Sequence, residues 1–266
     1  MSAAATPSSV PGVQSAPVLR VEGLSKAFGG IDAVHEVSFT VAAGELVALI
    51  GPNGAGKTTC FNLVNGQLAP DEGSVTLLGT RIDGLPPRAI ARMGVGRTFQ
   101  VAATFASMTV RENVQLALLA HGDRHRGVAR RAADSLRAEA DALLERVRMT
   151  KFAGAGCATL AYGDAKRVEL ALALAGAPKL LLMDEPTAGM SPRSRDRLMQ
   201  LAAGLAREQR IAVLFTEHDM DVVFGHADRI IVLDRGRAIA EGTPDAIRAN
   251  PRVQKVYLGE DEDETA

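Results

Sequence analysis

The 266-residue chain is short of several things, and each shortage narrows what it can be. Its two cysteines, Cys60 and Cys157, form neither a disulfide framework nor a zinc spacing, and they suit a reducing compartment. Cys60 follows a glycine-rich loop on an apolar stretch, where packing is expected rather than chemistry. Net charge is nearly absent: 30 basic and 31 acidic residues give −1, which argues against broad electrostatic binding to nucleic acid. No run of 18 apolar residues occurs, so no segment is expected to span a bilayer. Residues 1–17 are rich in Ala, Ser and Pro and contain no basic residue. They lack the charged start and apolar centre of a signal peptide and read as a disordered leader. His121 and His125 have no third ligand nearby, and Gly122 and Gly127 argue against the helix that would align them, so a solvated loop is expected. A protein of the cytoplasm follows, reaching a membrane through partners alone.

Against these shortages stands 47% hydrophobic residues, ample for a packed core in one large domain or two small ones. One stretch organises the rest. Gly51-Pro52-Asn53-Gly54-Ala55-Gly56-Lys57-Thr58 fits the phosphate-binding pattern G-x-x-x-x-G-K-[ST] at every fixed position. An apolar run at 45–50 reads as the strand before it, and 59–65 as the helix after it, with Gly66 as C-terminal cap. Glycines let backbone N–H groups curl inward, and the helix N-terminus adds a positive dipole end. Lys57 is placed to reach the outer phosphates and Thr58 to hold a magnesium ion. The chain is therefore expected to bind a nucleoside triphosphate.

Strands are predicted at 18–22, 34–41, 74–78 and around 80–82. Phe28, between the first two, either packs or stacks on a base, and spacing alone leaves both open. Pro86-Pro87 opens a short helix to Arg92. Thr109-Val110-Arg111-Glu112 is a capping box for a helix to about Ala120. A long helix is predicted over 128–149, with Leu136, Ala140, Leu143, Leu144 and Val147 on one face. Residues 160–163 read as a loop, with Asp164 capping a helix from Ala165 to about Gly176. Buried strands at 179–183 and 211–215 follow, separated by a helix that Ser191-Pro192 starts, and a hairpin over 229–240 comes after them. Thr243-Pro244 and Pro251 each begin a short helix. Residues 101–170 lack strand signals and read as a helical subdomain inserted in an α/β core of 18–100 and 171–243. Helices at 244–258 and an acidic tail at 259–266 complete the chain.

Strands alternating with helices imply a mainly parallel sheet, with ligands at the carboxyl ends of its strands. Three buried strands deliver polar groups there: the phosphate loop, Asp184-Glu185, and His218. Phosphoryl transfer needs charge on the γ-phosphate neutralised and a water aligned. Lys57 and the loop amides do the first. Asp184 can hold magnesium with Thr58, Glu185 can orient or deprotonate the water, and His218 can donate to the γ-phosphate. Gln100 can reach magnesium or the water.

These residues, in this order, resemble the ATP-binding subunits of ABC transporters over about residues 18–258. Residues 51–58 look like the Walker A motif, with Thr59 beside it also ATP-binding, 180–184 like Walker B with its glutamate Glu185, Gln100 like the Q-loop and His218 like the H-loop. Phe28 matches the adenine-stacking aromatic. The resemblance implies a P-loop NTPase (RecA-like) α/β core with a mainly parallel sheet, an N-terminal antiparallel β portion and the inserted helical subdomain. It implies ATP and Mg2+ as cofactors and ATPase activity. The family's signature motif departs here to Leu160-Ala161-Tyr162-Gly163-Asp164, and Ser191 stands where an aspartate is usual. That signature would contact ATP held by an opposite subunit. Together with Arg97-Thr98-Phe99-Gln100, 108–113, 217–220 and 257–260, it resembles the ATPases of importers for branched-chain amino acids, urea or short amides. The implied partners are a second ATPase subunit (a different chain or a second copy), membrane permeases and, indirectly, a solute-binding protein, with no nucleic acid. The implied place is the cytoplasmic face of the inner membrane. A lipid or lipopolysaccharide exporter ATPase shares the layout. A soluble non-transport ATPase would carry tandem halves or a basic arm, and a pure binding module would lack Glu185 or His218.

Overall fold

The computed structural model describes residues 16–98, 104–121 and 129–258. The expected leader and acidic tail therefore fall almost wholly outside the described residues, as do Gln100 and His125.

Strand β1 (Leu19–Phe28) turns at Gly29-Gly30 into β2 (Ile31–Val41). With β4 (Glu72–Leu77) and β5 (Thr80–Arg81) they form an antiparallel sheet in the order β2-β1-β4-β5. The second sheet holds β3 (Leu46–Ile50), β6 (Val95–Thr98), β7 (Leu180–Asp184), β8 (Ala212–Thr216), β9 (Arg229–Asp234) and β10 (Arg237–Gly242). Its order is β10-β9-β3-β8-β7-β6, parallel from β9 to β6, with β10 antiparallel at one edge. Thus β8 lies between β3 and β7, so the polar ends of the three strands are neighbours.

The period-2 alternation of strands sorts their side chains onto two cores. Leu46, Ala48, Ile50, Leu181, Met183, Val213 and Phe215 face one core; Val47, Leu49, Leu180, Leu182, Ala212 and Leu214 face the other. Helix α1 (Lys57–Val64) and the antiparallel sheet cover the second core, with Cys60, Phe61 and Leu63 buried. The first core is covered by α3 (Val110–His121), α4 (Ala129–Arg146), α5 (Tyr162–Leu174), α6 (Pro192–Gln209) and α7 (Met220–His226). Burying Phe61 or Phe215 fully is worth about 1.5–3 kcal/mol each, so both faces anchor the central strands firmly. Short helices α2 (Pro87–Arg92), α8 (Pro244–Arg248) and α9 (Pro251–Leu258) flank the sheets.

The predicted stripe is buried at Leu136, Ala140, Leu143 and Leu144 of α4 and at Val147 just past its end. The capping box is formed reciprocally: the Glu112 amide donates to Thr109 Oγ1 at 3.2 Å, and the Thr109 amide donates to Glu112 Oε2 at 2.7 Å. Three expectations change. The helix expected from Ala165 begins at Tyr162, because the Asp164 and Ala165 amides donate to the Ala161 carbonyl at 2.9 and 3.0 Å. Asp164 therefore sits inside the first turn, paired with Arg167, and the expected loop shrinks. Helix α4 stops at Arg146, and Arg148 takes a left-handed φ of 58°. Ser191 precedes α6 without capping it, because its hydroxyl donates to Ser194 Oγ at 3.0 Å. Strand β6 and helix α7 were not expected at all.

Candidate active site

The phosphate loop leaves the fully buried end of β3 and must turn at once into α1. Backbone crowding selects glycine at two points. A Cβ on Gly51 would lie 2.2 Å from the Leu233 carbonyl oxygen, and one on Gly56, at φ +100°, would lie 2.3 Å from that of Ala33. The loop is braced from outside: the Gly236 amide donates to the Ala55 carbonyl at 3.1 Å, and the His35 amide donates to the Gly236 carbonyl at 2.8 Å. Both sheets therefore hold it. From α9, Tyr257 reaches the backbone of Gly51, and burial pushes its phenol up.

Lys57 is buried, and its Nζ donates to the carbonyls of Gly51 at 2.6 Å and Pro52 at 3.0 Å. Burial pulls its pKa below the usual lysine value, opposed by the charges of Glu185 and Asp184. A cation held this way gains from an anion arriving in the loop.

The ends of β7 and β8 are tied together by polar side chains. Asp184 and Thr216 are register partners, and Thr216 Oγ1 donates to Asp184 Oδ1 at 2.8 Å. The Glu185 amide donates to Thr216 Oγ1 at 3.1 Å. Glu185 has a φ of 46°, a left-handed conformation that costs an L-residue about 1–2 kcal/mol. A contact of 2.7 Å joins Glu185 Oε1 and His218 Nε2. Buried Glu217 accepts from the Thr187 amide at 2.8 Å and hydroxyl at 2.7 Å, fixing the two loops against each other. Asp219 accepts from the amides of Asp221 and Val222, capping α7 and anchoring the His218 turn.

A cleft of about 230 Å³ collects these groups, with Asn53, Gly54, Ala55, Gly56, Lys57, Thr58, Thr59, Glu185 and His218 on its walls. Asp184 is not in its wall, and Ala33 of β2 forms part of it. Phe28 is not in that wall; it is half-exposed at the tip of the β1–β2 hairpin, with Lys26 Nζ 5.7 Å from its ring centre. Residues 160–164 stand elsewhere. Ala161, Gly163 and Asp164 line a separate cleft, also about 230 Å³, with Arg167, Ser194 and Arg197. Tyr162 is half-exposed, and Lys166 Nζ lies 5.7 Å from its ring centre. No residue lines both clefts.

Sequence reasoning assigned no role to Thr216, Glu217 or Arg97. The first two were legible as polar residues following an apolar strand. Arg97 stood only within the Arg97-Thr98-Phe99-Gln100 stretch that carries the resemblance, and its contact was not expected because its β6 strand was not recognised; its Nη2 donates to Asp184 Oδ2 at 3.3 Å.

Comparison with known proteins identifies the family. Residues 34–188 match the family model described as ABC transporter, and 239–263 match one described as branched-chain amino acid ATP-binding cassette transporter. The chain is 43% identical over 254 residues to the high-affinity branched-chain amino acid transport ATP-binding protein BraF of Pseudomonas aeruginosa, covering 92% of this chain and 99% of that one. An ATP-binding cassette of an ABC transporter superposes with a TM-score of 0.82 at 30% identity, over 92% of this chain and 100% of its own. A dimeric cassette in a post-hydrolysis state bound to ADP and Pi gives 0.72 at 26% identity, over 85% and 98%. A phosphate loop, a carboxylate–histidine pair at the neighbouring strand ends and these matches together place the chain in the ABC transporter family, as an ATP-binding cassette ATPase.

Proposed function

We propose that the chain is the ATP-hydrolysing subunit of an importer for branched-chain amino acids or related amides. The observation that carries the chemistry is the convergence of Lys57, Glu185 and His218 in one cleft, with Glu185 and His218 2.7 Å apart. Residues 51–59 cradle the phosphates with backbone amides and the lysine charge. Glu185 takes a proton from the attacking water or orients it, and His218 holds Glu185 and donates toward the γ-phosphate. Phe28 supplies a ring for the base, and Gln100 joins the metal and water ligands. The solute class follows the transport function of the 43%-identical relative and the match over 239–263.

The donor set suits magnesium. Thr58 and Asp184 offer hard oxygens, and among the described residues no group of three His, Cys, Asp or Glu side chains is placed to hold a metal unaided. An ion that keeps waters and takes most of its ligands from phosphates needs no more. Held there, it would supply neutralising charge to the phosphates.

The second cleft, at the start of α5, supplies amides and helix dipole but no water-activating pair. It would serve ATP held by another ATPase subunit, a different chain or a second copy, so that ATP joins two chains and hydrolysis releases them. Residues 101–170 then act as a helical subdomain against a core of 18–100 and 171–243. Permeases would dock in the cleft of about 360 Å³ between α2, β6, α3 and α5, whose walls include Ile90, Val95, Ala117 and Leu172. None of the described helices is long and apolar enough to cross a membrane, and attachment to the cytoplasmic face through permeases fits that. The test is uptake of labelled leucine into proteoliposomes containing the permeases, their solute-binding protein and this chain. Uptake is expected to require ATP and to vanish with Lys57→Ala. Uptake that continues unchanged with the variant would refute the assignment.

A further inference from the structure

Arg97 makes a contact that none of the motifs explains. It stands on edge strand β6, and its Nη2 donates to Asp184 Oδ2 at 3.3 Å. Its Nη1 donates to Asn62 Oδ1 and Gln67 Oε1, both at 3.2 Å. The other Asp184 oxygen accepts from Thr216 Oγ1 at 2.8 Å. Both oxygens of the carboxylate assigned to magnesium are therefore already in use. The pair is well buried, with 14% of the Arg97 side chain and 17% of the Asp184 side chain exposed. A carboxylate so placed needs a countercharge, and the guanidinium supplies it.

A divalent cation cannot share Asp184 with that guanidinium on equal terms. Like charges a few ångströms apart repel strongly where water is scarce. The metal also asks for near-ideal octahedral geometry, which a carboxylate held by two other donors resists. Arg97 has somewhere to go. Its side chain also lines the large cleft between α2, β6, α3 and α5, where Gln67 forms part of the same wall. Nη1 is already bonded to Gln67 there, so withdrawal breaks one ion pair and keeps part of the existing network.

We propose that Arg97 is a positioning residue that occupies Asp184 in place of the magnesium ion and withdraws toward the large cleft when metal and nucleotide bind. The inference rests on the reading of Asp184 as a metal ligand. It adds that whatever fills the large cleft meets the residue that sets metal affinity, which links docking to nucleotide loading.

The test uses the full chain with Mn2+ as paramagnetic probe and a non-hydrolysable ATP analogue, free Mn2+ being read by electron paramagnetic resonance. Arg97→Gln is expected to tighten Mn2+ binding about threefold to tenfold. Affinity for the analogue without metal should change by less than about twofold. Arg97→Lys, which keeps the competing charge, should lie near the unsubstituted protein. A merely structural arginine would leave Mn2+ binding unchanged or weaken it on replacement, and either result overturns the proposal. Asp184→Asn separates the two readings. If it leaves Mn2+ affinity intact, Asp184 is not a ligand and both readings fall. If it weakens Mn2+ while Arg97→Gln has no effect, the arginine role alone falls. Should Arg97→Gln fail to fold, the nearly isosteric Asn62→Asp gives the guanidinium a rival carboxylate and is expected to tighten Mn2+ binding; no change there counts equally against the proposal.

Discussion

The cleft on the phosphate loop and the cleft at the start of α5 are the same size, about 230 Å³ each, and differ in chemistry. The first is built from the ends of three strands and joins a buried lysine to a carboxylate–histidine pair. The second lies between the first turns of α5 and α6, with Ser194, Arg197 and an arginine already paired to Asp164. The first is proposed to cleave the bond and the second only to bind. On the proposed reading they serve two different nucleotides, and each nucleotide needs one cleft from each of two chains.

The largest expected effect breaks the first cleft alone. Lys57→Ala should weaken ATP binding by about a hundredfold or more, because charge-assisted bonds to the outer phosphates are lost. Arg197→Ala in the second cleft should leave ATP binding by the isolated chain within about twofold. Equilibrium titration with a fluorescent ATP analogue reads both, and equal losses would erase the distinction between the clefts.

A smaller effect concerns how firmly each cleft is rooted. Cys60, on α1 directly behind the phosphate loop, is fully buried, and burial pushes its thiol from 9.0 up to about 12. Cys157, just before residues 160–164, is 8% exposed, and its thiol is also raised by burial. A thiol whose pKa is raised on folding stabilises the native state fully below the unfolded value. That contribution is lost as pH rises from about 9 to about 12, because only the unfolded chain then releases the proton. Cys60 should therefore cost about 1.4 kcal/mol of stability by pH 10, and Cys60→Val should flatten the decline in thermal midpoint measured from pH 8 to 10. In the native protein at pH 8, Cys157 should react with a maleimide well before Cys60. Equal reactivity would mean that the phosphate-loop helix opens as readily as the signature segment.

The smallest effect sharpens the second cleft. Ala161→Ser adds a hydroxyl at the start of α5. If that cleft holds a partner's ATP, one added hydrogen bond of about 1 kcal/mol should lower the ATP concentration for half-maximal dimerisation about fivefold, measured by light scattering. No shift would deny the cleft a nucleotide.

The two regions were unequally legible in the sequence. The phosphate loop was read correctly because its glycines answer to backbone geometry, and clashes at 2.2 and 2.3 Å leave no alternative at Gly51 and Gly56. The buried strands at Asp184 and Thr216 were equally visible as unbroken apolar runs. The start of α5 was misplaced by three residues because its first amides use the Ala161 carbonyl and no side chain caps it. Strand β6 escaped notice because Val95-Gly96-Arg97-Thr98 mixes a glycine with a charged residue, and only its neighbour β7 makes it a strand. With β6 went the role of Arg97, whose contacts with Asn62, Gln67 and Asp184 span 30 to 87 residues of sequence and follow no local pattern.

The most direct test of the central claim, that the cleft built on Lys57 and Glu185 carries out hydrolysis, replaces Glu185 by Gln in this chain alone. ATP turnover is then measured with the assembled transporter. The account predicts that ATP still binds and that turnover at this site falls about a hundredfold or more, so the transporter keeps at most what the other site supplies. Turnover equal to that of the unsubstituted transporter would contradict it.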